Sequence, residues 1–287
     1  MAHAFALVTP SYDLDYERCL LLIESVHRFV APPVQHFIIV SRHDLKLFLR
    51  CADERTHILI QEQIVPHRFW QIPFAHRWRF HFTIPPLRGW VWQQIVKMSI
   101  SNSIDADAYM LVDSDCFFVR PFDPNSLIVH GNVPLFREED DWYQTNKDSQ
   151  TWAEVSRRLL HLPPWPQPYG VGYVIPWCFW RRDVLLKLQA HLTNGREATA
   201  WIRDVSKCIT VSEYTLYGIY VDEVLGLSNS GHYAFQQHLC HEYWDTVSLS
   251  RRDLMSFYRQ LAQSHVLAMI SAKSSTPVQE IRSVFGF

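Results

Sequence analysis

The chain has 287 residues, which at roughly 150 residues per domain gives one large unit or two small ones. Apolar residues make up 48% and charged residues 20%, enough for a sizeable core and too apolar for disorder. With 27 basic against 29 acidic residues, the chain lacks the basic excess of a dedicated nucleic-acid binder.

Residues 4–9 form a short apolar run ended by Pro10, with no basic segment before it, and read as a first strand rather than a signal peptide. Residues 16–30 carry apolar positions at helical spacing. The runs 36–40 and 57–60 are further strands, with a helical stretch at 44–49 between them. Residues 90–102 are helical and lead into 108–112, the clearest buried strand. Strands alternating with helices predict an α/β fold with a mixed, mostly parallel sheet flanked by helices. The second half is less regular: helical stretches at 139–161, 182–192 and 212–220, a proline-rich turn at 162–168, and apolar runs at 173–180 and 265–270. No repeat or linker divides the chain, so one domain with an embellished C-terminal half is expected. No run approaches the ~18 apolar residues of a membrane span. Six scattered cysteines without a CxxC pair read as reduced thiols of a cytoplasmic protein.

Neither GxGxxG nor GxxxxGK[ST] occurs, so a phosphate would be held by a metal or by side chains. The sharpest candidate is Asp113-Ser114-Asp115, directly after the run 109–112. Ligands of a parallel sheet sit beyond the carboxyl ends of its strands, and two hard oxygen ligands there suit Mg²⁺ or Mn²⁺ on a diphosphate. A surface turn is the plain alternative. Against it, the chain continues apolar through Cys116–Val119, and carboxylates inside an apolar run need a partner.

Thr9-Pro10-Ser11-Tyr12-Asp13 after the first strand, Trp90-x-x-Gln93-Gln94-x-x-Lys97 on a helix, and Tyr109–Asp115 together resemble the donor half of GT-A fold glycosyltransferases. The chain is similar to an uncharacterised group of bacterial glycosyltransferase-like proteins, most clearly over residues 4–122. The resemblance implies a GT-A domain spanning 1–287, with a donor half (1–122) and an acceptor and catalytic half (123–287). It implies transfer of a sugar from a nucleotide-diphosphate sugar, UDP-linked by preference, to a hydroxyl of a glycan or glycoconjugate, with inversion favoured. Asp113 and Asp115 would hold Mn²⁺ or Mg²⁺, with Ser114 near the ribose or sugar. Thr9, Pro10, Ser11 and Asp13 would cradle base and ribose, and Lys97, with Gln93 and Gln94 on its helix face, would reach the donor. A late histidine is often a third metal ligand, for which His265 is best placed, with His238 and His241 as rivals. Lys273 would then neutralise diphosphate oxygens.

Glu213, behind the N-cap residue Ser212, matches the position of the acceptor-side base, although Tyr214 stands where the family more often has a second acid. Asp222-Glu223 is a second acidic pair. Tyr169, Gly170 and Gly172 resemble an acceptor loop, with Trp165, Tyr169 and Trp177 available to stack on sugars. Residues 67–82 interleave cations with aromatics and read as a packed or acceptor-side loop, with contact to the inner membrane face as the alternative. Other readings are an inactive sugar-nucleotide binder and an aspartyl-nucleophile phosphatase. The latter wants Thr or Val where Phe117 stands. A nucleotidyltransferase lacks its glycine-rich loop here.

Overall fold

Phe5–Pro10 is buried at every position, and a six-residue run that hides both faces is a strand covered on each side by other elements. The computed structural model describes residues 5–66, 69–70, 78–82, 84–165 and 168–287. The first half runs β1 (Phe5–Pro10), α1 (Tyr16–Phe29), β2 (Gln35–Val40), α2 (Leu45–Phe48), β3 (Thr56–Ile60), α3 (Gln61–Ile64), β4 (Trp78–His81), β5 (Ile84–Arg88), α4 (Gly89–Ser99), β6 (Ala108–Val112) and β7 (Cys116–Phe118). There follow β8 (Val133–Phe136), β9 (Glu138–Glu139), α5 (Asp141–Thr145), α6 (Lys147–Leu159), β10 (Val171–Gly172), β11 (Trp177–Arg181), α7 (Arg182–Thr193), α8 (Ala200–Ser206) and α9 (Glu213–Ile219). The chain closes with α10 (Leu227–Ser230), β12 (His232–Phe235), β13 (Cys240–Tyr243), α11 (Arg251–Arg259), β14 (Leu267–Ile270) and α12 (Val278–Phe285).

The main sheet has the order β11-β6-β1-β2-β3. β6, β1, β2 and β3 are parallel, with Leu7 level with both His36 and Met110, while β11 runs antiparallel to β6 with Phe179 opposite Met110. This is the mixed, mostly parallel sheet flanked by helices that the alternation of runs predicts. Leu22 and Val26 of α1 and Val91, Ile95 and Val96 of α4 share one core with β1 and β6. That core extends through Trp177, Trp201 and Met269, so both halves of the sequence build it. β7 leaves the main sheet and pairs antiparallel with β14, which pairs parallel with β13.

Some sequence boundaries shift. The run 173–180 is a strand only from Trp177, and residues 139–161 break into α5 and α6 at Asn146, whose side chain caps α6 by accepting from Ser149 N. The chain continues past α9 in a wider π-type coil over Tyr220–Leu225. Among the described residues, no helix is long and apolar enough to cross a membrane.

Candidate functional site

β6 is wholly buried and delivers the backbone to Asp113, whose N–H donates to Pro176 O at 3.0 Å. A tight turn closed by Cys116 N to Asp113 O (3.0 Å) then redirects the chain into β7. The turn projects Asp113, Ser114 and Asp115 from the carboxyl end of the sheet, beside the segment that follows β1. Ser114 Oγ donates to Asp15 Oδ2 at 3.1 Å, which adds a third carboxylate. Asp115 Oδ2 accepts the Ala272 N–H at 2.9 Å.

Asp115 is pushed up to about 6, first by burial and then by the negative charge of Asp113, against the pull of the Ala272 N–H. Asp15 is raised as well, chiefly by burial, with Ser114 and Arg18 pulling it down and Asp113 pushing it up. The nearby cation Arg18 spends two of its N–H groups on the carbonyls of Ile270 and Thr276, both at 2.9 Å. Three carboxylates lie near two cations, Arg18 and Lys97, and leave an excess of negative charge on hard oxygen donors. Mg²⁺ or Mn²⁺ fits that donor set. Among the described residues, the side chains do not converge as a ready-made group of three ligands.

Lys97, eight residues into α4 and 5% exposed, binds the other side of this cluster. Its Nζ lies 3.1 Å from Asp113 Oδ1, 2.9 Å from Glu213 Oε1 and 2.7 Å from the Tyr214 hydroxyl. Burial alone would lower the ammonium, but Asp113, Glu213 and Tyr214 outweigh it and hold Lys97 well above its ordinary value. Glu213 is 4% exposed at the start of α9, where Ser212 caps the helix through Thr215 N. The structure therefore brings Lys97, Asp113 and Glu213 into one ion-paired knot. Glu213 is committed to Lys97 inside it, a setting that suits an anchor better than an acceptor-side base.

Ser11, Asp13 and Gln93 line a cleft of about 630 Å³ with Trp78, Trp90 and Arg88. Gln94 turns away from that cleft into the interior, where neither carboxamide atom has a partner among the described residues. Thr9 is inside the sheet, its hydroxyl 3.0 Å from His36 Nε2, and Pro10 is the buried last residue of β1. Lys273 is exposed in the turn Ala272–Ser274, next to the residue that bonds Asp115. Of the segment 67–82, residues 67–68 and 71–77 lie outside the described residues; Trp78 and Arg79 form part of the cleft wall.

His265 is not brought to the acids. Ile270, not His265, lies next to Asp115, with its N–H 3.3 Å from Asp115 O. His265 precedes that point by five residues, roughly 16 Å along an extended chain. Its Nδ1 accepts from Ala262 N at 3.0 Å, and its ring stacks on His241 at 5.3 Å. His238 lies 3.1 Å from Glu138 Oε1. Tyr169 and Gly170 border a second cavity, Gly172 packs on the Tyr143 ring, and Trp177 is buried core rather than a platform. Asp222 and Glu223 are paired to Arg137 and Arg157.

Sequence reasoning missed Asp15, Tyr214 and Glu242. Trp244 Nε1 donates to Glu242 Oε2 at 2.6 Å, while Oε1 is enclosed without a partner among the described residues. Burial raises Glu242, Trp244 and His238 oppose this, and Glu138 and Asp113 raise it further. No local motif announces it, because only the pairing of β13 with β14 and of β14 with β7 brings its strand into the sheet that starts just after Asp115.

A family model described as "Family of unknown function (DUF6492)" matches residues 6–285. No curated protein matches the chain. Among solved structures, the chain is similar to apo mouse xyloside xylosyltransferase 1, at 10% identity over 95% of this chain and 99% of that one, with a TM-score of 0.48. It is similar to the galactosyltransferase LgtC, solved with donor and acceptor sugar analogues, at 10% identity over 98% and 95%, with a TM-score of 0.44. It is also similar to apo WbbM, a bifunctional glycosyltransferase, at 10% identity over 99% of this chain and 52% of that one, with a TM-score of 0.47.

Proposed function

The chain belongs to that family of unknown function, and from the geometry of its own site we propose that it is a glycosyltransferase using a nucleotide-diphosphate sugar and a divalent cation. The observation that carries this is the carboxylate trio Asp15, Asp113 and Asp115 at the carboxyl end of the sheet, with the Ser11–Asp13 cleft beside it. Asp113 and Asp115 would hold Mn²⁺ or Mg²⁺, which supplies charge neutralisation to the departing diphosphate. Ser11, Asp13 and Gln93 would hold the nucleoside, a UDP-sugar by preference, and Lys273 would approach the phosphates from the rim. Lys97 fixes Asp113 in one orientation, and Glu213 holds Lys97.

The acceptor is a hydroxyl of a glycan or glycoconjugate. Glu242 is the better candidate than Glu213 to take its proton, since Glu213 is bound to an ammonium and Glu242 has an oxygen to spare. Attack from the face opposite the diphosphate then inverts the sugar carbon. Glu242→Gln is expected to lower transfer about 100-fold or more while leaving donor affinity unchanged. Unchanged turnover would return the role to another carboxylate.

The direct test of the donor site is thermal unfolding with UDP-, GDP-, CMP- and ADP-linked sugars, with and without Mn²⁺. One nucleotide class should stabilise the protein, and only with metal, by about 3 kcal/mol at a ligand concentration of roughly 100 times Kd. A protein indifferent to every donor and to Mn²⁺ is not this enzyme.

A further inference from the structure

The second cavity, about 790 Å³, lies against β9, β10 and the coil after α9. Its wall contains Asp222 and Glu223, and both are fixed. Arg137 Nε donates to Asp222 at 2.7 Å, Arg157 donates to Glu223 at 2.6 Å, and the Tyr173 and Tyr169 hydroxyls reach the same two carboxylates at 2.9 and 3.0 Å. These charges are neutralised in place, so the wall is a frame of oriented acceptors rather than a trap for cations. Asp140 and Asp141 add further acceptors at the rim, with the Gln144 carboxamide beside them.

Trp165 supplies what a carboxylate wall lacks. It is 47% exposed, lines the cavity, and is held by the Arg157 guanidinium stacked on its ring at 4.7 Å and by Tyr169 edge-on at 5.2 Å. An aromatic ring fixed beside planar acceptors matches the chemistry of a pyranose, which offers an apolar C–H face and a girdle of O–H donors. An anionic ligand meets Asp140 and Asp141 at the rim, while the lining arginine, Arg137, is already paired to Glu139 and Asp222, and so it is disfavoured. Asp222 also stands nine residues beyond Glu213, which marks the Lys97–Asp113 knot, on one nearly continuous helical path, roughly 13 Å away at 1.5 Å per residue, so the cavity is separate from the donor-side acids.

We propose that this cavity is a remote acceptor subsite that binds a neutral sugar unit of an oligosaccharide, distinct from the unit that receives the transferred sugar. The role of the cavity in acceptor binding rests on the glycosyl-transfer reading; its binding of a sugar does not. The test is calorimetric titration of the full chain with three neutral trisaccharides, maltotriose, cellotriose and triacetylchitotriose, and with a phosphorylated maltotriose. At least one neutral probe should bind, its phosphorylated form should bind more weakly where compared, and Trp165→Ala should weaken binding roughly tenfold or more. Asp141→Lys, at an exposed position, should weaken it as well without disturbing the fold. Absence of binding by all three neutral probes overturns the proposal, as does binding that neither variant changes. Nucleotide binding, titrated in parallel, reports on the transfer reading: its loss alone would leave a sugar-binding cavity without that chemistry.

Discussion

Lys97→Met is expected to destabilise the fold by about 3–5 kcal/mol, because it strands two carboxylates that the ammonium now satisfies. Glu213 is the more exposed to this loss in energetic terms, being almost fully buried with Lys97 as its ion-pair partner at 2.9 Å. The α9 helix start offsets part of the cost by favouring a negative charge in its first turn. Asp113 loses less, since its side chain is partly open to water. Adding Glu213→Gln to Lys97→Met should therefore recover most of the lost stability, whereas adding Asp113→Asn should recover little. Thermal unfolding of the single and double variants measures both couplings. If Glu213→Gln fails to rescue, the buried ion pair is not what holds α4 to α9. The same series separates roles in catalysis: an anchor at 213 predicts that Glu213→Gln alone retains turnover within about tenfold, while a base predicts a fall of at least 100-fold.

How far the sequence could be read follows from the range of the interactions involved. Asp113, Asp115 and Lys97 were legible because each is fixed locally: a buried five-residue strand must end somewhere, and α4 presents Lys97 on its inward face. Gln93 and Gln94 flank Lys97 at i−4 and i−3 on its helix face, about 40° and 60° from it, with Gln94 buried and Gln93 half-buried at the cleft. The sequence makes His265 a candidate by its place just ahead of a late strand. A sequence does not state which end of that strand meets the acids. β14 runs antiparallel to β7, so the end near Ile270 meets Asp115 and His265 lies at the other. Glu242 and the assembly of the second cavity are not legible for the same reason at longer range, since residues near 137–144, Trp165, 169–171 and 222–223 meet only once the fold is complete.

Asp115→Asn and Asp113→Asn should both abolish metal-dependent donor binding and cut turnover by several orders of magnitude, yet they should move stability in opposite directions. Asp115 has its carboxyl raised to about 6 from an ordinary 3.8, first by burial and then by Asp113, so the folded state binds its proton more tightly than the unfolded chain. Its contribution to stability is complete below the unfolded value and is lost as pH rises through about 6. At pH 8 the ionised group costs about 3 kcal/mol, and the amide, which can still accept the Ala272 N–H, removes that cost. For a chain of this size the metal-free Asp115→Asn protein should unfold several degrees above the parent at pH 8, and the two should converge near pH 4. Asp113→Asn instead removes the carboxylate that Lys97 holds at 3.1 Å, and should lower stability. Melting curves at pH 4 and 8 without metal, followed by nucleotide titration with Mn²⁺, decide the matter. If Asp115→Asn is no more stable at pH 8, the crowding of carboxylates is relieved without a metal. If it is more stable but still binds donor with metal, Asp115 is not a ligand. The expected pairing of gained stability with lost binding is the mark of a site that keeps its acids crowded for a cation.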